Sequence, residues 1–135
     1  MINRMLKPGI TLEQKRIVRQ GDAITFLGPD VPPSLSTPSM IAWMETACRD
    51  AVLPHLEPGQ DTVGTKVNIE HFAGIPRGEE VTYRAELAAV DGRRLTFRVQ
   101  ATAGDKTVGS GTHERFLIDI ERFAAGVKKR AGGAS

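Results

Sequence analysis

Glu45 is the residue whose setting in this chain most strongly suggests chemistry. It is the only charged residue in the otherwise nearly apolar run MIAWMETAC, residues 40–48. A carboxylate beside a hydrophobic core is paired, solvated or chemically used, because burying an unpaired charge is costly. An ionised carboxylate can act as a nucleophile or as a general base. The first question is therefore which other residue could work with Glu45.

The residues around Glu45 predict the helix that carries it. Thr37 is a good N-cap, and Pro38 suits the first helical position. Pro54 ends or kinks a helix, so we expect a helix from Pro38 to Leu53. On a helical projection Glu45 lies at the edge of the apolar stripe.

The rest of the chain predicts an antiparallel sheet. Apolar and polar residues alternate with a period of two in the segments after the helix, as in strands with one buried face. The pairs Asp91-Gly92 and Gly104-Asp105 indicate tight hairpin turns. The expected strands cover residues 11–18, 23–27, 63–71, 81–89, 95–101 and 106–120. An α+β fold follows, in which the only long helix covers the apolar face of the sheet.

Strand parity directs His71 toward that helix. The alternating positions from Val63 to His71 share one apolar face, which includes Thr65, Val67 and Ile69. His71 therefore points to the side on which the helix packs. Glu45 and His71 can reach one seam between the helix and the sheet.

Simpler interpretations of these residues remain open. Arg49 follows Glu45 by four residues, which is the favourable orientation for an exposed ion pair. A single histidine on an apolar strand face is more often a hydrogen-bonded core residue than a catalyst, and Thr37 is first of all a helix cap. In a continuous helix, Thr37 and Glu45 lie about 12 Å apart along the axis. They share a site only if the chain folds back before Pro38, if a substrate lies between them, or if a neighbouring subunit completes the site.

Composition excludes several classes of protein. The 135 residues suffice for one domain with its own core, and the formal charge of +2 is too small to indicate nucleic-acid binding. The single cysteine, Cys48, excludes an intrachain disulfide and a multi-cysteine zinc site, and we interpret it as a small core residue. No set of His, Cys and carboxylate residues has the spacing of a metal site, so we predict no metal and no cofactor.

The sequence contains no signal for export or membrane insertion, and its last residues are basic and small. Residues 1–9 contain no apolar run that could act as a signal peptide, and no segment approaches the roughly 20 apolar residues of a membrane span. We therefore expect a cytoplasmic protein without a membrane or nucleic-acid partner. Lys128, Lys129 and Arg130 form a short basic cluster that, with residues 131–135, is expected to fray into solvent.

Four segments together resemble a known family. They are TPSMIAWMETACRDAVLPHLEPG, VGTKVNIEH, AELAAVDGRRLTFRV and GSGTHER. In order and spacing they resemble the fluoroacetyl-CoA thioesterase family of hot-dog-fold thioesterases, from Thr37 to about Lys129. The resemblance implies one long helix wrapped by a curved antiparallel sheet of about five strands. It implies a single domain over residues 1–135 with a flexible tail from about residue 128, and a homodimer with an acyl-CoA site near the subunit interface.

The resemblance also implies roles for four residues. The catalytic threonine, carboxylate and histidine of the family fall on Thr37, Glu45 and His71, and a glycine whose N–H lies near the thioester falls on Gly64. Thioester hydrolysis needs an activated nucleophile, a stabilised oxyanion and a proton for the leaving thiolate. Glu45 could attack the carbonyl directly or activate a water molecule, and His71 could orient it and protonate the sulfur. Gly64 could bind the oxyanion, and Thr37 could position the carboxylate or the acyl group.

The chain departs from the family in the segment before Thr37. The family member that acts on fluoroacetyl-CoA has a longer segment there, with phenylalanines that close over the substrate. This chain has GPDVPPSLS instead, with no aromatic residue between Phe26 and Trp43. We therefore expect a more open site that hydrolyses a short acyl-CoA without strict fluoroacetyl specificity. The alternative is a non-catalytic hot-dog module that binds acyl-CoA or another small hydrophobic ligand.

Several other polar residues have less certain roles. Guanidinium groups match phosphate oxygens, so four arginines could bind the phosphates of coenzyme A, although each is also expected as an ordinary exposed residue. These arginines are Arg77, Arg93, Arg94 and Arg115. His113 and Glu114 follow glycines at positions 109 and 111, where a bulge could change parity, so their faces are not assigned.

Overall fold

The computed structural model describes residues 6–132. Helix α1 spans Thr37–Val52, and helix α2 spans Ile120–Gly132. The strands are β1 (Thr11–Ile17), β2 (Ala23–Ile24), β3 (Ser34–Leu35), β4 (Gln60–His71), β5 (Glu80–Asp91), β6 (Arg94–Ala103) and β7 (Lys106–Asp119).

Five strands form one antiparallel sheet in the order β1-β5-β6-β7-β4, and β2 pairs with β3 separately. The last three strands in sequence are joined by tight hairpins, as the turn residues predicted. The β5–β6 turn consists of Gly92 and Arg93, one residue later than expected, because Asp91 already pairs with Arg94. Gly92 has a φ of 61°, a conformation that glycine adopts without steric cost.

Helix α1 covers one face of this sheet, as the sequence predicted. It packs against β5 and also contacts β1, β4 and β6. Alternate residues of β5 and β6 are buried because their side chains point toward the helix. The helix buries Met40, Met44, Ala47, Cys48, Ala51 and Val52. Cys48 is therefore the core residue that the sequence predicted, and burial raises the pKa of its thiol to about 12.

The start of α1 corrects the predicted cap. Ser36, not Thr37, is the N-cap, because the Ser36 hydroxyl accepts a hydrogen bond from the backbone N–H of Ser39 at 3.2 Å. Thr37 is the first helical residue and Pro38 the second. The cap falls one residue earlier because Ser36 has the extended backbone that a cap requires, with φ −78° and ψ 150°. The Thr37 hydroxyl is therefore available for another partner.

A bulge in β4 changes the predicted strand parity. Gly64 pairs with Arg115 and Lys66 pairs with Glu114, which leaves Thr65 as an extra residue. Gly64 faces the same side as Val67, Ile69 and His71, whereas Val63 takes the opposite face. The prediction that Val63 shares the face of His71 is therefore wrong, but His71 itself points to α1.

The C-terminal segment differs from the expected tail. Residues 120–132 form helix α2, which contains no buried residue. The structure thus gives Lys128, Lys129 and Arg130 a helical backbone, while the flexibility of this segment stays a prediction. Residues 133–135 of the expected tail lie outside the described residues. Neither helix within residues 6–132 has the length and apolar character needed to cross a membrane.

Candidate active site

Glu45 faces two buried basic residues on β7. Its Oε2 lies 3.5 Å from Nη1 of Arg115 and 4.0 Å from Nε2 of His113. The Glu45 side chain is 39 % exposed, so one side of the carboxylate meets these residues while the other is open to solvent. Glu45 is therefore paired and accessible, which is what a reacting carboxylate needs.

Arg115 is held by hydrogen bonds on three of its nitrogens. Nε donates to the Thr62 hydroxyl at 2.7 Å, Nη2 donates to the Thr62 carbonyl at 2.8 Å, and Nη1 donates to Nε2 of His113 at 3.2 Å. Arg115 is only 5 % exposed, so the expectation that it is an ordinary surface residue is wrong. Burial lowers the pKa of Arg115, and the nearby Glu45 carboxylate opposes that shift. The three hydrogen bonds fix the guanidinium beside Glu45.

The hydrogen bonds of His113 define its protonation state. Its Nδ1 lies 2.8 Å from the carbonyl oxygen of Lys66, which can only accept, so Nδ1 carries the proton. Nε2 then presents a lone pair, which accepts the hydrogen bond from Arg115. Burial lowers the pKa of His113, while the Lys66 carbonyl and Glu45 act in the opposite direction. His113 is 1 % exposed and is a neutral support for Arg115.

Gly64 borders the same cluster. A Cβ atom at this position would lie 3.0 Å from Oε2 of Glu45 and 3.1 Å from Cε1 of His113. Such contacts are tighter than ordinary packing allows, so the absence of a side chain leaves space beside the carboxylate. The structure thus places Gly64 beside Glu45; the role of Gly64 at the thioester, which the family resemblance implies, stays a prediction.

A second cluster joins Thr37 and His71. The Thr37 Oγ1 and the His71 Nδ1 lie 2.8 Å apart, which is hydrogen-bond distance. The Nε2 atom of His71 is buried and has no hydrogen-bond partner among the described residues. A buried ring nitrogen that makes no hydrogen bond destabilises the fold, unless a bound molecule supplies that hydrogen bond. This nitrogen is therefore a candidate contact for a polar atom of a substrate.

The two clusters lie at different points along α1. Glu45 and His71 do not form an ion pair within 4.0 Å, and Thr37 is eight residues before Glu45 in one continuous helix. That spacing corresponds to about 12 Å along the helix axis. The chain does not fold back before Pro38 to bring them together, since Thr37 already belongs to the helix. The other two arrangements considered from the sequence remain.

Arg49 is not the partner of Glu45. It forms two hydrogen bonds with Asp61, from Nε at 2.9 Å and from Nη2 at 2.7 Å. The hydrogen bond from Arg49 lowers the pKa of Asp61. The simple exposed Glu45–Arg49 pair is therefore absent, and Glu45 is paired with the buried Arg115 instead.

A cavity of about 560 Å³ lies beside Thr37 and His71. Its other walls include Ile24, Phe26, Leu35 and Phe72. It is within the size range of small-molecule sites, and it combines apolar walls with a few polar groups. Among residues 6–132 no three His, Cys, Asp or Glu side chains are grouped so that they could hold a metal ion.

The remaining arginines are placed differently from one another. Arg93 donates to the Leu117 carbonyl at 3.1 Å, and Arg94 lies 3.9 Å from Glu114. Arg77 is exposed, and its backbone N–H donates to the Pro33 carbonyl next to the cavity wall at Ser34. Arg77 is thus the one of the four that is exposed and close to the cavity in the chain.

Two residues of this site, Thr62 and His113, are not predicted from the sequence. The sequence signals for both residues are weak, because Thr62 precedes the predicted strand 63–71 and His113 follows the glycines at positions 109 and 111. Arg115 and His113 are two residues apart on β7 and therefore share the face toward Glu45, whereas the bulge at Thr65 lets Gly64 and His71 share one face although they are an odd number of residues apart. A threonine in a strand gives no sign of such a bulge.

Comparison with known proteins identifies the family. The model of the fluoroacetyl-CoA-specific thioesterase family, FlK, matches residues 18–121. The fluoroacetyl-CoA thioesterase of Streptantibioticus cattleyicolor is 45 % identical over 101 residues, which are 75 % of this chain and 73 % of that protein.

Solved structures agree in fold. A structure of the fluoroacetyl-CoA thioesterase FlK matches with a TM-score of 0.83 and 38 % identity, over 92 % of this chain and 96 % of that chain. A thioesterase superfamily member from Thermus thermophilus matches with a TM-score of 0.85 and 26 % identity, over 98 % of this chain and 99 % of that chain. A hot-dog-like protein from Thermanaerovibrio acidaminovorans, 21 % identical with a TM-score of 0.86, covers 96 % of each chain and shares the fold. The chain has the hot-dog fold and belongs to the fluoroacetyl-CoA-specific thioesterase family.

Proposed function

We propose that this chain is an acyl-CoA thioesterase. The observation that carries the proposal is the Thr37–His71 hydrogen bond of 2.8 Å beside a cavity of about 560 Å³. Family membership supports the same reaction, since the curated relative is a fluoroacetyl-CoA thioesterase. The partly exposed Glu45 carboxylate supplies a nucleophile or general base for it.

In the proposed reaction Glu45 either removes a proton from the attacking water or attacks the thioester carbonyl itself. In the second case departure of the thiolate leaves a mixed anhydride, which water then hydrolyses to the free acid and the Glu45 carboxylate. Arg115 keeps a positive charge 3.5 Å from Oε2 of Glu45 and holds the carboxylate in place. The backbone N–H of Gly64 stabilises the oxyanion, and His71 delivers a proton to the departing thiolate. Thr37 holds His71 in position through their hydrogen bond.

We also propose that two subunits share each site. Within one chain, Thr37 and Glu45 are eight positions apart on α1, which separates the two clusters by about 12 Å and is too far for direct hydrogen bonding. A homodimer that sets the Glu45 cluster of one subunit against the Thr37–His71 cluster of the other removes this difficulty. A cytoplasmic location fits the composition, in which the only cysteine is a free buried thiol.

Coenzyme A offers phosphates as well as the thioester. Arg77 is the arginine that we propose for them, because it is exposed and follows the cavity wall. The alternative function is a hot-dog module that binds acyl-CoA without hydrolysing it, with Glu45 serving only as the partner of Arg115.

Thiol release from acetyl-CoA and propionyl-CoA tests the reaction. We expect release to rise in proportion to protein concentration, and we expect His71→Ala to lower kcat at least about tenfold, because proton delivery to the thiolate is lost. His55→Ala, in the turn after α1, is the control for replacement of a histidine. Binding of acyl-CoA without thiol release would favour the non-catalytic module. Undiminished turnover in His71→Ala would leave His71 without a catalytic role.

A further inference from the structure

The cavity beside Thr37 and His71 is larger than a two-carbon acyl group requires. At roughly 30 Å³ for each heavy atom, such a group fills about 100 Å³, whereas the cavity has about 560 Å³. Much of the additional wall is apolar, with Phe26 and Phe72 as its largest side chains. We propose that this cavity binds an apolar acyl chain of about four to eight carbons, which at the same volume per atom fills about 120–240 Å³ and leaves space for the thioester and part of the pantetheine arm. The inference rests on the proposed thioesterase function and lengthens the short acyl group that the sequence predicts.

The cavity is built by backbone contacts that exist in the free protein. Ile24 pairs with Ser34 between β2 and β3, and the Leu35 N–H donates to the Ile75 carbonyl at 2.8 Å. The Phe72 N–H donates to the Val108 carbonyl at 2.7 Å, which ties the residue after β4 to β7. Because these bonds fix the backbone at Ile24, Leu35 and Phe72, that part of the wall does not have to form when a ligand enters.

The two phenylalanines are unusually exposed for their size. Phe26 is 77 % exposed and Phe72 is 55 % exposed, although both border a concave surface. An acyl chain lying between them would remove apolar surface of both rings from water. Burial of each methylene corresponds to about a fourfold gain in affinity, so a chain of several carbons would gain substantially.

The thioester position fixes which part of the ligand reaches these rings. If the carbonyl lies at Thr37 and His71, the acyl chain and the pantetheine arm leave it in opposite directions. The pantetheine arm carries two amides, which need hydrogen-bond partners when they are buried. The side chains of Phe26, Phe72, Ile24 and Leu35 offer none, so this part of the cavity suits the acyl chain.

Binding of two non-hydrolysable thioethers, ethyl-CoA and hexyl-CoA, tests the inference by calorimetry. They share the whole coenzyme A moiety, so the ratio of their two affinities reports only the contribution of the alkyl chain. We expect hexyl-CoA to bind at least about tenfold tighter, below the roughly 250-fold limit for full burial of four methylenes. We expect Phe72→Ala and Phe26→Ala each to reduce this ratio at least about threefold.

Phe123→Ala is the matched control, because Phe123 lies on α2, is 45 % exposed and does not line this cavity. Its affinity ratio should equal that of the unmodified protein. Equal affinity for the two thioethers, or a ratio that the Phe26 and Phe72 variants leave unchanged, would overturn the inference. Tighter binding of hexyl-CoA without hydrolysis of any acyl-CoA would overturn the proposed function and leave the inference standing.

Discussion

Glu45→Gln should lower kcat for acyl-CoA hydrolysis at least about 100-fold, because the amide can neither attack the carbonyl nor accept a proton from water. The change keeps the size of the side chain and an oxygen that can face Arg115 at a similar distance, so the fold should persist. Turnover is measured by thiol release over a range of acyl-CoA substrates. Circular dichroism and thermal unfolding establish that the variant is folded.

The control is Glu57→Gln, which removes the same charge from an exposed turn after α1. We expect its kcat to match that of the unmodified protein. If Glu45→Gln keeps turnover within about tenfold, the effect is smaller than general-base catalysis provides. The reaction would then depend on Thr37 and His71, with Glu45 limited to its contact with Arg115.

Mixing two inactive variants tests whether subunits share the site. If Glu45 of one subunit works with His71 of the other, a dimer of Glu45→Gln with His71→Ala contains one intact site. A random equal mixture should therefore recover about a quarter of wild-type activity, since half of the dimers are mixed. Each variant taken alone through the same dissociation and mixing is the control. No recovery would place both residues of a working site in one subunit.

Most of the fold could be predicted because its signals are local. The apolar stripe of α1, its proline boundaries and the alternation in β5 and β6 each depend on residues close in sequence. The buried side of the helix and the order of the hairpins follow from those patterns. Helix α2 was not predicted, because the basic cluster Lys128–Arg130 and the small residues after it are typical of a frayed tail. An amphipathic pattern nevertheless runs through residues 120–132.

The site was predicted less completely because its contacts are not local. Arg115 and Thr62 are separated by 53 residues, and their contact depends on the pairing of β4 with β7 that places Gly64 opposite Arg115. A count of alternating positions along one strand reveals neither the extra residue of a bulge nor the residues that lie opposite on the neighbouring strand. It therefore placed His71 toward α1 but gave no reason to expect Arg115 and His113 beside Glu45.

The buried Arg115 should also be a major determinant of stability. We expect Arg115→Met to lower the free energy of unfolding by about 2–4 kcal/mol, because three buried acceptors lose their donor. These acceptors are the hydroxyl and carbonyl oxygens of Thr62 and Nε2 of His113. Loss of the ion pair adds less, since Glu45 is 39 % exposed and can be solvated.

Arg49→Met is the matched control, since Arg49 also makes two hydrogen bonds but its side chain is 44 % exposed. Surface ion pairs contribute about 0–1 kcal/mol, so this variant should lose no more than that. Urea unfolding at one fixed protein concentration measures both, because association would otherwise change the apparent stability. Equal losses in the two variants would mean that methionine packing compensates for the lost hydrogen bonds, as can occur when a buried ion pair is replaced by apolar residues. A larger loss for Arg115→Met would instead show that the network beside Glu45 stabilises the fold as well as positioning the carboxylate.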